Sequence, residues 1–510
     1  MPTTADALPT TAAGGLLLRF GSSWRFGDGA LSDTLLVGAA TWPLTAALPE
    51  ELACLFADGD PWRNRPGLSG LEAELKCGCG DAVSKAPAAS VEIDQLRVGR
   101  SGSAGRGLFA RDAPVAEGTL LLRERAFAAA LWPCAFATHC HHCLCAISPR
   151  SATAVHCAGR ERRLCRERYC SASCRDEAWA QGHCIECGTL MHAIAPRTVL
   201  MCVRALLRAR DAADSVSAAD LDSLLALRDH GVDMSAQRTS QLRFHAHLYA
   251  TATPGHGPLE AVLAKLLRLA LTNSFAVSEL VATDAAASDE SQPHAADDGS
   301  SFLSSQAMVS TEGVRRRTVA EALFPHAGLL NHACAPCANV RHIGRHVEVR
   351  AASHLAPGDE ACISYGPQAG FQAVAARREW TRRVYHFECA CSACAREAAA
   401  PTTSQGAVSA WRARAQALDE DARLACERGD FCAAAASSEA ALDLLRKVFP
   451  DGSPQIAHEE VKLAQLLFNA AADGRARRAL ERAAVRMAHL YGEADDEVGE
   501  MRRLAMMCRS

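Results

Sequence analysis

Leu329 to Val340 reads LLNHACAPCANV, and a short way downstream Gly358 to Gly366 reads GDEACISYG. The first stretch sets two polar side chains, Asn331 and His332, between Leu329, Leu330 and Cys334. Such a pair is expected to be buried, and buried polar groups must find partners. Residues 315–366 are rich in glycine, proline and short strand-like runs, so the pair falls in a turn-rich β region. Tyr365 closes the second stretch at the end of one such run.

Outward from this pair, the dominant signal is cysteine. CACSAC supplies Cys389, Cys391 and Cys394, one ligand short of a tetrahedral site, and Cys334 supplies the fourth. Upstream, CHHC gives Cys140 and Cys143, and Cys157 and Cys165 follow. YCSASC then gives Cys170 and Cys174, and HCIEC gives His183 and Cys187. Eight ligands suit two closed zinc sites with no open position, so their role is structural. Sequential pairs should interleave: Cys140, Cys143, Cys170 and Cys174 on one ion, and Cys157, Cys165, His183 and Cys187 on the other. For the second ion, Cys184, His156 and Cys145 are alternative donors. The 23 cysteines occur in short-spaced groups mixed with histidine, which reads as zinc in a reducing compartment rather than disulfides. Isolated cysteines such as Cys54, Cys202 and Cys426 read as small buried hydrophobes.

The rest of the chain bounds the function. With 54 Lys+Arg against 58 Asp+Glu the net charge is -4, which argues against direct nucleic-acid binding. No stretch is long and apolar enough to read as a membrane span. The opening lacks a basic residue before Arg19, unlike a secretory signal, so cytoplasm or nucleus is expected. Residues 1–90 form a poorly specified extension that holds Cys77 and Cys79. Within 196–272, VLMCVRALLRAR, SAADLDSLLALRDH (Ser217 as N-cap) and PLEAVLAKLLRLAL (Pro258 near its start) carry helical spacing. A helix and then the second cysteine group are expected in 371–395. FCAAAASSEAALDLLRKVF, HEEVKLAQLLFNAAAD and ARRALERAAVRMAHLYG predict a stack of antiparallel helices in the tail, with turns at Pro450–Pro454 and at Gly474.

YCSASCRDEAW with His183 and Cys187 resembles the MYND zinc finger. It departs from that pattern in having seven residues between Cys157 and Cys165 and four between Cys165 and Cys170. The NH and SYG motifs with their flanking strands resemble the SET methyltransferase domain. Their order together with both cysteine clusters resembles the SET-and-MYND (SMYD) family of protein lysine methyltransferases over roughly residues 91–508. The resemblance implies a mixed α+β fold of short SET-type sheets interrupted by the finger, with a post-SET zinc site and a C-terminal TPR-like helical domain. It divides the chain into 91–133 (SET, N-terminal part), 134–188 (finger), 189–272 (helical insert), 273–366 (SET, C-terminal part, with a polar insertion 279–312), 367–395 (post-SET) and 405–508 (helical).

The resemblance also implies a chemistry: transfer of a methyl group from S-adenosylmethionine to a protein or peptide lysine, histone or non-histone. The donor would be held by Gly105, Arg106, Gly107, Asn273, Asn331, His332, Tyr365, Tyr385 and Phe387. Tyr365 is the leading catalytic residue and Tyr385 the second. Glycines at 105 and 107 would let backbone amides approach the donor closely. Cys334, Cys389, Cys391 and Cys394 would form the post-SET zinc, giving about three zinc ions per chain. The finger would offer a site for a proline-rich peptide, and the chain would act as a monomer. Cys337 stands where the family usually has asparagine. That change and the finger spacing motivate the alternative of an inactive zinc-finger and helical-repeat adaptor.

Overall fold

The computed structural model describes residues 34–37, 40–43, 91–148, 151–157, 165–187, 192, 195–209, 215–230, 233–250, 257–282, 314–399 and 402–508. Cys54, Cys77 and Cys79 lie outside them, as do residues 283–312 of the expected insertion.

Short sheets make up the β part. The largest orders Ala338–Ile343, His346–Ala351, Leu120–Arg125 and Val91–Glu92, all antiparallel. A second orders Phe275–Ala282, Val314–Leu323 and Ala128–Leu131. Leu96–Ser101 and Gly105–Ala110 form a hairpin, and Asn331–His332 pairs in parallel with Cys362–Ile363. Alternation explains how they pack. Leu108 and Ala110 point inward from one strand, and Val347, Val349 and Ala351 from another, into one core with Leu96, Leu121 and Leu122. The strand Phe275–Ala282 runs four residues into the polar insertion expected at 279–312. Glu279 lies opposite Arg317 and pairs with it at 2.6 Å, so its charge belongs to the ladder. A composition average cannot see that.

The helical insert contains Arg197–Ala209, Ser215–Leu225, Ala236–Ala250 and Gly257–Asn273. The first is buried almost all round, from Val199 to Leu207, because it sits between the strand Ala128–Leu131 and the other helices. Cys202 is fully buried in it, as a small hydrophobe should be. The second helix begins at Ser215, so Ser217 lies inside it and is not its N-cap. The third was not legible in the sequence. AQRTSQLRFHAHLYA has a weak apolar stripe, and only packing of Leu242 and Ala246 against Gly257–Asn273 decides it.

Five helices form the tail: Thr402–Glu427, Phe431–Leu445, Pro454–Asn469, Asp473–Tyr491 and Asp496–Met507. Their core is mostly Ala and Leu. Asp430 caps the second through Ala433 N, and Pro454 opens the third. The turn expected at Gly474 falls instead at 470–472, where Ala471 takes φ 51°. The tail rests on the strand Ala338–Ile343. Asn339 donates to Gly452 O at 3.1 Å, and Arg341 donates to Tyr491 O at 2.7 Å and pairs with Asp495. A Cβ on Gly452 would lie 1.7 Å from Ala352 O, so only glycine permits this approach.

Candidate functional site

Among the described residues, metal-ligating cysteines assemble into three groups: Cys140, Cys143, Cys170, Cys174; Cys157, Cys165, His183, Cys187; and Cys334, Cys389, Cys391, Cys394. A zinc–sulfur tetrahedron with ~2.3 Å bonds has edges of about 3.8 Å. The sulfur separations are 3.6 Å for Cys143–Cys170, 3.5 Å for Cys170–Cys174, 3.5 Å for Cys157–Cys187 and 3.7 Å for Cys334–Cys389. These are far too long for disulfides and right for three zinc ions. The unusual finger spacing has a local explanation. Val155–His156 and Arg168–Tyr169 pair as a short antiparallel ladder, which brings Cys157, just after one strand, beside Cys165, just before the other. Cys184, His156 and Cys145 stand outside all three groups.

Sequence reasoning missed the shell behind these ligands. His183 aims Nε2 at Cys157 and Cys165, 3.2 and 3.5 Å away, and Nδ1 at Glu186, 3.0 Å away. Glu167 lies 3.4 Å from the same Nδ1, binds His192 and accepts from Tyr169 Oη. Arg204, on Arg197–Ala209, joins both carboxylates at 2.5 Å. Glu167, His183, Glu186 and His192 could themselves be taken as a metal group. They are better read as the outer shell that fixes the His183 tautomer, because Arg204 already compensates the carboxylates. The same guanidinium fastens the finger to the helical insert.

At the third group, fully buried Arg377 donates toward Cys394 Sγ at 3.6 Å. His332 Nε2 lies 3.3 Å from Cys334 Sγ, and its Nδ1 accepts from Tyr365 N at 3.1 Å. Both ring nitrogens are therefore committed inside the protein. Burial lowers the His332 pKa to about 4, so the ring is neutral, with its one proton directed at sulfur. Four thiolates around one zinc carry net negative charge, which these two donors offset.

The NH strand is placed from behind by Glu124. Its buried carboxylate accepts from His326 N at 3.0 Å, Ala327 N at 2.8 Å and His326 Nδ1 at 2.9 Å. That carboxylate fixes the single turn Ala327–Leu329 just before Asn331. Asn331 Nδ2 donates to Arg106 O at 2.9 Å and to Glu360 Oε1 at 2.7 Å. Gly107 lies against both partners: a Cβ there would sit 2.3 Å from Glu360 Oε1 and 2.9 Å from Asn331 Nδ2. Gly105 takes φ 92°, and a Cβ on it would meet nothing within 4 Å, so its backbone faces open space. Arg106 reaches Ala226 O, and Asn273 Nδ2 donates to Arg228 O and Leu269 O, each at 3.0 Å. The Asn273 amide thus closes a helix end and anchors the segment Ala226–Arg228.

Tyr365, Tyr385 and Phe387 gather around His332. Ring centroids are 4.9 Å apart for Tyr365–Tyr385, 5.3 Å for His332–Tyr365 and 6.0 Å for His332–Phe387. Trp380 backs Tyr385 at 5.3 Å. Tyr365 Oη donates to Leu330 O at 2.6 Å, and Tyr385 Oη donates to Tyr365 O at 3.2 Å. Burial pushes both phenols above their ordinary range, further for Tyr365 through nearby Tyr385, so both stay protonated. Cys337 takes a backbone role: its sulfur accepts from Cys362 N at 3.2 Å and lies 3.3 Å from Glu360 O.

Interrupted short sheets, a double zinc finger, a thiolate site beside the NH strand and a helical tail support a SET-and-MYND methyltransferase-like architecture. Known proteins similar to this chain include methyltransferases of the SET-and-MYND family. Protein-lysine N-methyltransferase SMYD4 of Homo sapiens is 38% identical over 84 residues, covering 16% of this chain and 10% of that protein. SMYD4 of Danio rerio is 25% identical over 328 residues, 51% of this chain and 42% of its own length. N-lysine methyltransferase SMYD2-B of Danio rerio is 40% identical over 73 residues, 14% of this chain and 16% of its own. The chain thus matches less than half the length of these relatives. No family model matches it. Among the described residues no helix is long and apolar enough to cross a membrane.

Proposed function

We propose that the chain is an S-adenosylmethionine-dependent protein-lysine N-methyltransferase. The observation that carries this reading is the meeting of the glycine loop, the Asn331 amide and the tyrosine cluster at one edge of the β core. S-adenosylmethionine, when bound, supplies a methyl carbon made electrophilic by its sulfonium. The residues present fit it. Gly105 offers bare backbone, and Asn331 has turned its amide hydrogens inward, leaving its oxygen to accept from an ammonium. His332 would contribute through its backbone, and Asn273 by fixing the segment that holds Arg106.

For the methyl acceptor, the chain must align a neutral amine and exclude water. Tyr365 spends its hydroxyl proton on Leu330 O, so it meets the lysine nitrogen as an acceptor and turns the nitrogen lone pair toward the methyl. Tyr385 and Phe387 give aromatic faces that suit an aliphatic stem and an N-methylated cation. The three zinc sites hold this geometry and take no part in the chemistry. Calorimetry with S-adenosylmethionine on zinc-replete protein tests the reading. Saturable binding that Asn331→Ala weakens supports it, and absence of binding to the intact chain favours the adaptor.

A further inference from the structure

The structure assigns Glu360 as a positioning residue for the methyl-donor site, an inference that rests on the methyltransferase reading above. Its carboxylate sets which way the Asn331 amide faces and ties the glycine loop to the NH strand.

Glu360 lies at the join of three elements. It bridges Phe109, and Ala361 N donates to Leu108 O at 2.8 Å while Ala110 N donates to Asp359 O at 2.8 Å. The segment Gly358–Ala361 therefore extends the hairpin that carries Gly105 and Gly107. From there the side chain crosses Gly107. Oε2 accepts from Ser101 Oγ at 2.6 Å, and Oε1 accepts from Asn331 Nδ2 at 2.7 Å. Both carboxylate oxygens are thus occupied by donors from different strands. A side-chain amide can turn over and exchange its oxygen for its nitrogen. Two acceptors, Glu360 Oε1 and Arg106 O, prevent this at Asn331, because a turned amide would set its oxygen against both. An outward oxygen is an acceptor and suits the ammonium of an amino-acid donor. An outward NH2 would repel it. Glycine at 107 is required because the carboxylate occupies the place its Cβ would take.

The test is donor affinity and steady-state kinetics on full-length, zinc-replete protein. Glu360→Ala should raise the donor Kd and KM about tenfold, the scale of one lost charge-assisted hydrogen bond, with kcat at saturating donor falling less than about threefold. Glu360→Gln should stay within about threefold of the parent. Its side-chain oxygen still accepts from Asn331, and the Ser101 hydroxyl can turn to accept from the new amide. In an Asn331→Ala background, Glu360→Ala should add less than about twofold, since the group it orients is gone. Additive losses, or a folded Glu360→Ala with unchanged donor affinity, overturn the assignment. If Glu360→Ala does not fold, Ser101→Ala replaces it, with an expected rise in Kd of about threefold and no change as the contrary result. Failure of the parent chain to bind donor overturns the methyltransferase reading and this assignment with it. Donor binding that ignores these substitutions overturns the assignment alone.

Discussion

Replacing Tyr365 by phenylalanine removes one oxygen, and the structure says what that oxygen holds. Its hydrogen goes to Leu330 O at 2.6 Å, so the substitution leaves a carbonyl beside the NH strand without that donor. The stability cost should be about 1–3 kcal/mol, typical of an unsatisfied buried acceptor. The ring keeps its contacts with Tyr385 and His332, so no cavity term adds to it. The catalytic cost is separate. Without the phenol oxygen the lysine nitrogen loses the acceptor that orients it, and turnover at saturating donor should fall about 10²-fold, the low end for a positioned catalytic group. Donor affinity should hold, because this hydroxyl bonds Leu330 O, while the Asn331 amide is held by Arg106 O and Glu360 Oε1. The assay is methyl transfer under saturating donor, paired with a donor-binding curve and a thermal melt. Unchanged turnover would refute the assignment and make Tyr385 the leading catalytic residue. Lost donor binding would make Tyr365 a structural or donor-holding group.

A metal assay on freshly purified protein should return about three zinc ions per chain, and a value near one would refute the paired-cluster reading. Glu186→Gln weakens the partner that orients His183. It should lower affinity for the Cys157, Cys165, His183, Cys187 zinc by about 10–100-fold in a chelator competition while sparing the other two; equal loss from all three sites would contradict an outer-shell role. His326 should give a pH signature. Burial alone would lower its pKa, but the hydrogen bond and charge of Glu124 outweigh burial and raise it above the ordinary histidine value of about 6.5. Its contribution to stability is therefore fully present below about pH 6.5 and is lost as pH rises through the folded-state pKa. The melting-temperature gap between the parent and His326→Gln should narrow as pH rises above that value, and a gap that widened would reverse the sign of the coupling.

Much of the fold was legible because metal ligands announce themselves by spacing. Each of the three cysteine groups assembles with the partners their order implied, and Cys334 reaches the CACSAC segment from the NH motif. The supporting shell was not legible, for a physical reason. Glu167, Glu186 and Arg204 look like surface charges in a sequence, and only burial against one another gives them a role. Glu360 was hidden in the same way inside a quoted motif, since its importance lies in crossing Gly107 to reach Asn331. His332 was singled out as a buried polar group; it and Asn331 are half-buried, and its two ring nitrogens are taken by Cys334 and the Tyr365 backbone. The helix Ala236–Ala250 lacked a strong apolar period, and the break at Ala471 lacked a glycine, so neither carried a local signal.

The most direct test of the central claim is mass spectrometry of lysine methylation. Purified, zinc-replete chain is incubated with S-adenosylmethionine and a mixture of folded proteins and peptides, beside Asn331→Ala and Tyr365→Phe controls. The account expects methyl groups on lysine side chains with the parent chain, sharply reduced with either variant. A parent chain that holds its zinc and binds the donor, yet methylates no lysine in the mixture, would contradict it.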